Sequence, residues 1–211
     1  MAGLMRLGIF GGTFDPPHLA HLILAAEAHC QLALDRVLWV LTPDPPHKQG
    51  RAISGLEDRL ELLQAALEGD PAFALSRVDI DRSPPHYSLD TVLALRDQHP
   101  QAVLVFLMGG DSLHDLPAWH RPHDLIAACD EIGVMRRPGD GVDMSRVKEQ
   151  FPEILPKLRF VDAPLLEISA SEIRRRAAAG LPYRYFLPPA VYELVRAKGL
   201  YRGTRRDAEG A

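Results

Sequence analysis

The chain has 211 residues, of which 46% are hydrophobic, and a formal net charge of −4 at pH 7. This length and composition suffice for a proper hydrophobic core. The acidic balance argues against a general nucleic-acid binder, which needs a surplus of Lys and Arg for its phosphate contacts. No apolar run approaches the ~20 residues of a membrane span, and the N-terminus lacks the apolar region of a signal peptide. We therefore expect a cytoplasmic protein with no membrane partner.

Short apolar runs alternate with helical patterns along the chain. In chain order the predicted elements are strand Leu4–Phe10, helix Leu19–Leu34, strand Arg36–Leu41, helix Ser54–Leu67, strand Phe73–Asp81, helix Leu89–Gln98, strand Ala102–Met108, helix Pro122–Cys129, strand Glu131–Met135, helix Met144–Phe151 and strand Leu158–Val161. This βαβ repetition predicts an α/β fold with a doubly wound, mainly parallel sheet and a small C-terminal helical extension. We expect one domain over residues 1–202 and a frayed tail over residues 203–211.

A glycine pair at residues 11–12 ends the first predicted strand, and the chain then runs through Asp15 and Pro16 into a helix. We predict that Asp15 is the N-cap and Pro16 the first helical residue. His18 and His21 then share one face of the first turn. A helix N-terminus at the carboxyl edge of a sheet binds phosphate through its free N–H groups and its positive dipole end. A tight turn with two solvated histidines, or a metal site, remains the alternative.

A second motif near the other end of the chain favours phosphate. Ser169 is followed three residues later by Glu172, a capping box that predicts a helix with Arg174 in its first turns. This would be a second anion site with its own cation. Ser54 and Glu57 form a further capping box at the start of another predicted helix.

These two motifs carry a resemblance to a known superfamily. The stretches GGTFDPPHLAH and ISASEIR resemble the H-x-G-H and I-S-x-T-x-x-R signatures of the nucleotidyltransferases related to class I aminoacyl-tRNA synthetases. TPDPPHKQG, HYSLDTVLAL, MGGDSLHDLPAWHRPHDLI and the tail YRYFLPPAVYELVRAKGLY are similar to the bacterial nicotinate-nucleotide adenylyltransferase family. The resemblance runs from about Leu7 to Tyr201. The chain departs from the family pattern at Ala20, Ser171 and Gly110, where we expect the activity to be adjusted and not lost.

The resemblance implies a Rossmann-like nucleotidyltransferase fold and ATP-dependent adenylyl transfer to nicotinate mononucleotide. The products would be deamido-NAD, in NAD biosynthesis, and pyrophosphate. The implied small-molecule partners are ATP and nicotinate mononucleotide, and the implied cofactor is Mg²⁺, bound as Mg-ATP without a dedicated protein metal site. Such a transfer needs donors and cations to align two polyanions and has no need of a strong general base.

The resemblance also implies roles for individual residues. The expected catalytic residues, which contact phosphates, are His18, His21, Lys48 and Arg174. The residues expected to bind ATP are Gly11, Thr13, Phe14, Gly109, Asp111 and Ser169. The residues expected to bind the mononucleotide are His47, Lys48, Ser88, Thr91 and Trp119. Among these, His21 would stabilise the departing pyrophosphate and Trp119 would stack on the pyridine ring.

Two other functions stay open. The acceptor of the same chemistry could be nicotinamide mononucleotide or pantetheine phosphate, although Trp119 and the Pro-Pro-His-Lys loop argue against pantetheine. A non-catalytic nucleotide sensor on the same fold would be expected to have lost His21 or Arg174, and both are present. Cys30 and Cys129 have no metal-ligand spacing and are expected to be reduced thiols.

Overall fold

Six parallel strands form one sheet in the computed structural model of the chain, which describes residues 3–44, 53–136, 144–164 and 166–202. The strands are β1 (Arg6–Gly12), β2 (Arg36–Leu41), β3 (Phe73–Ser76), β4 (Val103–Gly109), β5 (Glu131–Arg136) and β6 (Leu158–Asp162). Their order is β3-β2-β1-β4-β5-β6, and every neighbouring pair is parallel. The prediction of an α/β fold with a parallel sheet is confirmed.

Helices connect the strands and continue after the last one. The α-helices are α1 (Leu19–Gln31), α2 (Leu56–Leu67), α3 (Ser88–Gln98), α4 (Gly110–Asp115), α5 (Pro122–Ala128), α6 (Met144–Gln150), α7 (Ala170–Ala178) and α8 (Pro189–Lys198). Short 3₁₀ helices span Leu116–Ala118, Pro152–Lys157 and Arg184–Phe186. Among the described residues, no helix is long and apolar enough to cross a membrane.

The described residues form two compact units. The sheet unit lies within Met1–Thr13, Ile23–Arg51 and Gly69–Leu165, and the helical unit within Phe14–Leu22, Ala52–Glu68 and Leu166–Ala211. The prediction of one domain over residues 1–202 with a frayed tail stays a prediction.

The strands of the sheet unit are apolar along most of their length because helices cover both faces of a doubly wound sheet. Close packing depends on glycine at two positions of the sheet. A Cβ on Gly8 would lie 2.7 Å from Leu34 Cδ1, and one on Gly133 would lie 2.7 Å from Leu107 Cδ2 and 2.8 Å from Leu32 Cδ1. These leucines therefore pack against the bare backbone of β1 and β5.

The helical unit has its own core. The buried residues of this core cluster come from α2, α7 and α8 and from the segment before α8, namely Leu62, Ile173, Leu187, Val191 and Val195. Lys198, the last residue of α8, donates to Asp58 on α2 over 2.8 Å and also pairs with Glu61. Helices α2 and α8 are thus held together by apolar packing and by an ion pair at the surface.

Several predicted boundaries are wrong. Strand β3 ends at Ser76 instead of Asp81, because the N–H of Asp81 donates to the carbonyl of Arg77 over 2.9 Å and closes a turn there. Ser54 is not a helix cap, because Gly55 precedes α2 and makes no side-chain cap bond. Helix α4 follows β4 directly and was not predicted. Cys30 and Cys129 are free thiols, as expected.

Candidate active site

A cavity of about 720 Å³ opens in the sheet unit at the carboxyl ends of β1, β2 and β4. In the sheet, β2 and β3 lie on one side of β1, and β4, β5 and β6 lie on the other. The strand order therefore reverses between β1 and β4, next to this cavity. In open α/β sheets ligands bind at such switch points. The lining also includes the loop before α3 and the segment after α4.

Six residues predicted to bind substrate line this cavity, namely Gly11, Thr13, Ser88, Thr91, Gly109 and Trp119. They come from four separate segments of the chain, and the fold brings them together. Asp111, predicted to meet the ribose, is exposed in the first turn of α4 and is not part of this lining. His47 and Lys48 lie outside the described residues.

Aromatic side chains form one wall of the cavity. Trp119 is half-buried and meets Phe106 of β4 edge to face, with ring centroids 6.1 Å apart. Tyr87 stacks on His120 with centroids 4.0 Å apart and an angle of 17° between the rings. This wall offers flat apolar surface to an aromatic ligand. Tyr87 and His120 were not singled out from the sequence as stacking partners.

A polar network lies behind the loop that precedes α3. The buried carboxylate of Asp79 accepts hydrogen bonds from Thr91 Oγ1 at 2.7 Å and from Arg82 Nε at 3.1 Å. The single hydroxyl proton of Thr91 is therefore engaged by Asp79, although the residue borders the cavity. His86, also in the lining, is buried, with Nε2 3.3 Å from the Arg82 carbonyl. Sequence reasoning missed Asp79 because it placed this residue inside a strand.

In the helical unit the predicted cap of α1 is wrong, although the helix begins at Leu19 as its predicted range has it. Helix α1 begins at Leu19, and the carbonyl of His18 accepts hydrogen bonds from the N–H groups of His21 at 2.9 Å and Leu22 at 3.3 Å. His18 thus occupies the capping position that was predicted for Asp15, and Pro16 lies before the helix. The backbone N–H of His18 donates to His21 Nδ1 at 3.3 Å.

The two imidazoles lie face to face. The ring centroids of His18 and His21 are 3.7 Å apart with an angle of 19° between the planes, and Phe14 meets His21 edge to face at 5.2 Å. Because His21 Nδ1 accepts a hydrogen bond, the proton of the neutral ring is on Nε2. The two rings stack on each other, but His18 precedes the first turn in which both were predicted.

Asp15 is a buried junction instead of a helix cap. Its Oδ1 accepts from the hydroxyl of Tyr201 at 2.7 Å, and its Oδ2 accepts from the N–H of Ser54 at 3.1 Å. Arg174 Nη1 donates to the backbone carbonyl of Asp15 at 2.6 Å and lies 4.0 Å from Oδ2. Burial, and then the neighbouring carboxylate of Asp15, raises the pKa of Tyr201, so its hydroxyl stays protonated and donates.

The second predicted helix N-terminus is confirmed. Ser169 caps α7, and its side-chain oxygen accepts from the N–H of Glu172 at 3.2 Å. The carboxylate of Glu172 turns instead to Arg175 and Arg176, whose hydrogen bonds lower its pKa to about 2. Of the three consecutive arginines, Arg174 is the one that reaches Asp15.

Among the described residues there is no cluster of His, Cys, Asp or Glu that could hold a metal ion. The acid beside the paired histidines, Asp15, has both carboxylate oxygens engaged by protein donors. The described part of the helical unit therefore has paired histidines, Arg174 and a capped helix N-terminus, and no cage of carboxylates.

Comparison with known proteins agrees with this arrangement. The cytidylyltransferase-like family matches residues 9–176. A probable nicotinate-nucleotide adenylyltransferase of Thermomicrobium roseum is 48% identical over 199 residues, which cover 94% of this chain and 92% of the relative. A probable nicotinate-nucleotide adenylyltransferase of Salinibacter ruber is 36% identical over 200 residues, which cover 95% of this chain and all of the relative.

A solved structure shares the fold. It is Plasmodium falciparum nicotinic acid mononucleotide adenylyltransferase complexed with NaAD, which has a TM-score of 0.78 at 18% sequence identity. The match covers 93% of this chain and 97% of that one. The chain therefore belongs to the cytidylyltransferase-like family and, within it, to the nicotinate-nucleotide adenylyltransferases.

Proposed function

We propose that this chain transfers the adenylyl group of ATP to nicotinate mononucleotide and produces deamido-NAD and pyrophosphate. The observation that carries the proposal is the 48% identity to a probable nicotinate-nucleotide adenylyltransferase over 94% of the chain. The cavity at the switch point, with its aromatic wall, supports the same activity because it suits a nucleotide with an aromatic base.

The reaction joins a phosphate oxygen of the mononucleotide to the α-phosphorus of ATP and breaks the bond between that phosphorus and the bridging oxygen to the β-phosphate. The electron pair of the broken bond leaves with pyrophosphate. Because the second pKa of a phosphate monoester is about 6, the attacking oxygen is already ionised at neutral pH. Catalysis then consists of alignment and of stabilising charge on the leaving group.

The helical unit would bind the ATP phosphates. His18 and His21 are stacked at the start of α1, and His21 carries its proton on Nε2, which suits it to donate to a phosphate oxygen. Arg174 would add a cation, and the N-terminus of α7 behind Ser169 would add N–H groups. Lys48 and His47, adjacent in sequence, would contact the mononucleotide phosphate. Phe14, in contact with His21, would lie against the nucleotide.

The sheet unit would bind the nucleoside and the acceptor ring. No described protein atom lies within 4 Å of a Cβ placed on Gly11 or Gly109, so a nucleotide could lie directly against this backbone. Thr13 would border the same nucleotide. Trp119 would stack on the pyridine ring. Asp111 would reach the ribose from the exposed start of α4.

Nicotinate carries a carboxylate, so its recognition calls for donors at the ring's polar end. Ser88 is the first residue of α3, where a backbone N–H has no partner within the helix, and its hydroxyl is close by. Thr91 borders the same site. Asp90, in the same turn, is not part of the cavity lining, so its charge does not face the ring.

Mg²⁺ would bind as the ATP complex, held chiefly by the phosphates and not by protein carboxylates. The donor set of the described residues fits this arrangement, because His18, His21 and Arg174 would bind phosphate oxygens and would leave the ion to the nucleotide. When bound, the ion neutralises phosphate charge and orients the phosphate chain.

Product identification tests the proposed function. The purified chain is incubated with ATP and Mg²⁺ together with nicotinate mononucleotide, nicotinamide mononucleotide or pantetheine phosphate, each in a separate reaction, and the products are separated by chromatography. Deamido-NAD from nicotinate mononucleotide, at the highest kcat/KM of the three, is the expected result. Exclusive turnover of pantetheine phosphate, or ATP binding without turnover of any acceptor, would overturn the proposal and favour the other acceptor or a nucleotide sensor.

A further inference from the structure

We infer that Arg82, held by Asp79, is a positioning residue that sets both the affinity for the acceptor mononucleotide and the choice between nicotinate and nicotinamide. The inference rests on the proposed function of the cavity. Arg82 does not line the cavity, but Asp79 and the loop over residues 86–88 do. Arg82 would therefore act on the ligand through these neighbours.

Arg82 ties together three pieces of the cavity wall. Its Nε donates to Asp79 Oδ1 at 3.1 Å, its Nη1 to the carbonyl of Pro85 at 2.7 Å, and its Nη2 to the carbonyl of Tyr87 at 3.3 Å. Nη2 also lies 3.4 Å from Thr91 Oγ1 on α3. The planar fork of a guanidinium can bridge these partners at once, and an ammonium cannot. The loop over residues 85–88 is thereby fixed relative to α3.

The bonds to Arg82 also decide which backbone groups the loop can offer. The carbonyls of Pro85 and Tyr87 both point to the guanidinium. In a trans peptide the C=O and the following N–H point in opposite directions. The N–H groups of His86 and Ser88 are therefore directed away from Arg82. A loop whose Pro85 and Tyr87 carbonyls are occupied, and whose following N–H groups point the other way, suits an anionic substituent on the ligand.

Charge gives Arg82 a second effect. Asp79 lines the cavity and is only 2% exposed, so its negative charge would repel a carboxylate on the acceptor ring at short range. Arg82 lies 3.0 Å from it and balances that charge. Thr91 donates to the same carboxylate oxygen. Neutralisation of the Asp79 charge by Arg82 matters for binding of nicotinate, whose ring carries a charged substituent. It matters little for binding of nicotinamide, whose ring substituent is neutral.

Substitutions of the two partners should therefore shift selectivity in opposite directions. Arg82→Gln leaves Asp79 unbalanced and should lower the ratio of kcat/KM for nicotinate mononucleotide to that for nicotinamide mononucleotide by about 10-fold. Asp79→Asn removes the buried anion and leaves Arg82 only the half-exposed carboxylate of Asp90, 4.0 Å from Nη1, so it should raise the same ratio. Arg82→Lys keeps the charge but loses the fork, so KM for both acceptors should rise while the ratio stays closer to that of the wild type than in Arg82→Gln.

The same segment offers a matched control. Arg77 and Asp81 form an ion pair of 2.8 Å whose side chains are 52% and 59% exposed. Arg77→Gln removes the same charge five positions away, and we expect it to leave all kinetic constants within about 2-fold, because exposed ion pairs contribute little.

The experiment measures kcat and KM for ATP and for both mononucleotides in the full-length wild type, the three variants of the pair and the control. Two results would show that the pair is purely structural and would overturn the inference. One is that Arg82→Gln and Asp79→Asn shift the ratio of kcat/KM for nicotinate mononucleotide to that for nicotinamide mononucleotide equally and in the same direction. The other is that KM for ATP rises in parallel with KM for the acceptors. If Arg82→Gln does not fold, Asp79→Asn and Arg82→Lys still test the ratio and the KM shift. A wild type that does not adenylate nicotinate mononucleotide would instead refute the proposed function.

Discussion

The hydroxyl of Tyr201 donates a hydrogen bond to the buried carboxylate of Asp15 at 2.7 Å, across 186 positions of sequence. Ser54 engages the other carboxylate oxygen, and Arg174 engages the backbone carbonyl. Asp15 therefore connects the segment before α1 to the segment before α2, to α7 and to the third residue after α8. The proposed phosphate-binding residues depend on this junction for their relative placement.

Removal of the Tyr201 hydroxyl should destabilise the chain. Tyr201→Phe leaves Asp15 Oδ1 buried without that donor, so we expect the free energy of unfolding to fall by about 1–3 kcal/mol. Urea denaturation of the wild type and the variant at pH 7 measures this loss of unfolding free energy. Tyr192→Phe is the control, because the Tyr192 ring packs on Tyr183 in the same unit and is not part of the junction. Equal losses in both variants would contradict a specific role for the contact with Asp15.

His21 should act in the transition state. His21→Ala removes a donor to the departing pyrophosphate, so kcat should fall on the order of 10²–10³-fold while KM for ATP changes little. Steady-state kinetics with saturating acceptor measure both constants. His29→Ala, in the last turn of the same helix, should leave them nearly unchanged. A His21 variant with near-normal kcat would be incompatible with this role.

Trp119 should bind both acceptors without distinguishing them. Stacking on a pyridine ring does not depend on whether the ring bears an acid or an amide. We therefore expect Trp119→Ala to lower kcat/KM for nicotinate mononucleotide and nicotinamide mononucleotide by a similar factor, and Trp119→Phe, which keeps a flat ring, to lower both less. A loss confined to one acceptor would rule out stacking as the main contribution.

Magnesium should enter with the nucleotide. Dialysis against a chelator should leave no tightly bound metal and should abolish turnover until Mg²⁺ is restored, because ATP phosphates supply the principal ligands. Elemental analysis of the dialysed protein and an activity assay with added Mg²⁺ measure both. Stoichiometric zinc or iron in the purified protein would contradict this expectation.

The two cysteines should differ in reactivity. Burial raises the pKa of the Cys129 thiol to about 12, whereas Cys30 is exposed. At pH 8 iodoacetamide should therefore modify Cys30 in the native protein and Cys129 only after unfolding, as peptide mass spectrometry would show. Because the raised pKa favours the folded state only while the thiol is protonated, this contribution to stability is present below about pH 9 and is lost as the pH rises toward 12. Native-state modification of Cys129 at pH 8 would contradict the assignment.

The strands could be predicted from the sequence because a strand that is covered on both faces of a sheet is a continuous apolar run. For β2 the observed bounds, Arg36–Leu41, are the same as the predicted ones. Asp15 could not be placed correctly. The local Asp-Pro pattern favours a helix cap, but its partners Ser54 and Tyr201 are 39 and 186 positions away, and no local pattern indicates them. Asp79 was missed for a different reason: the predicted strand ran through it, whereas a turn between Arg77 and Asp81 ends β3 before it.

The position of β1 in the sheet has a consequence for how the chain is made. Strand β1 pairs with β2, which begins at Arg36, and with β4, which begins at Val103. A ribosome therefore releases β1 and β2 well before β4. Until β4 emerges, one side of the strand containing Ile9 and Phe10 is an unpaired apolar edge, which is a template for pairing with other chains. The segment at the centre of the finished sheet thus passes through a stage of translation in which it is exposed to aggregation.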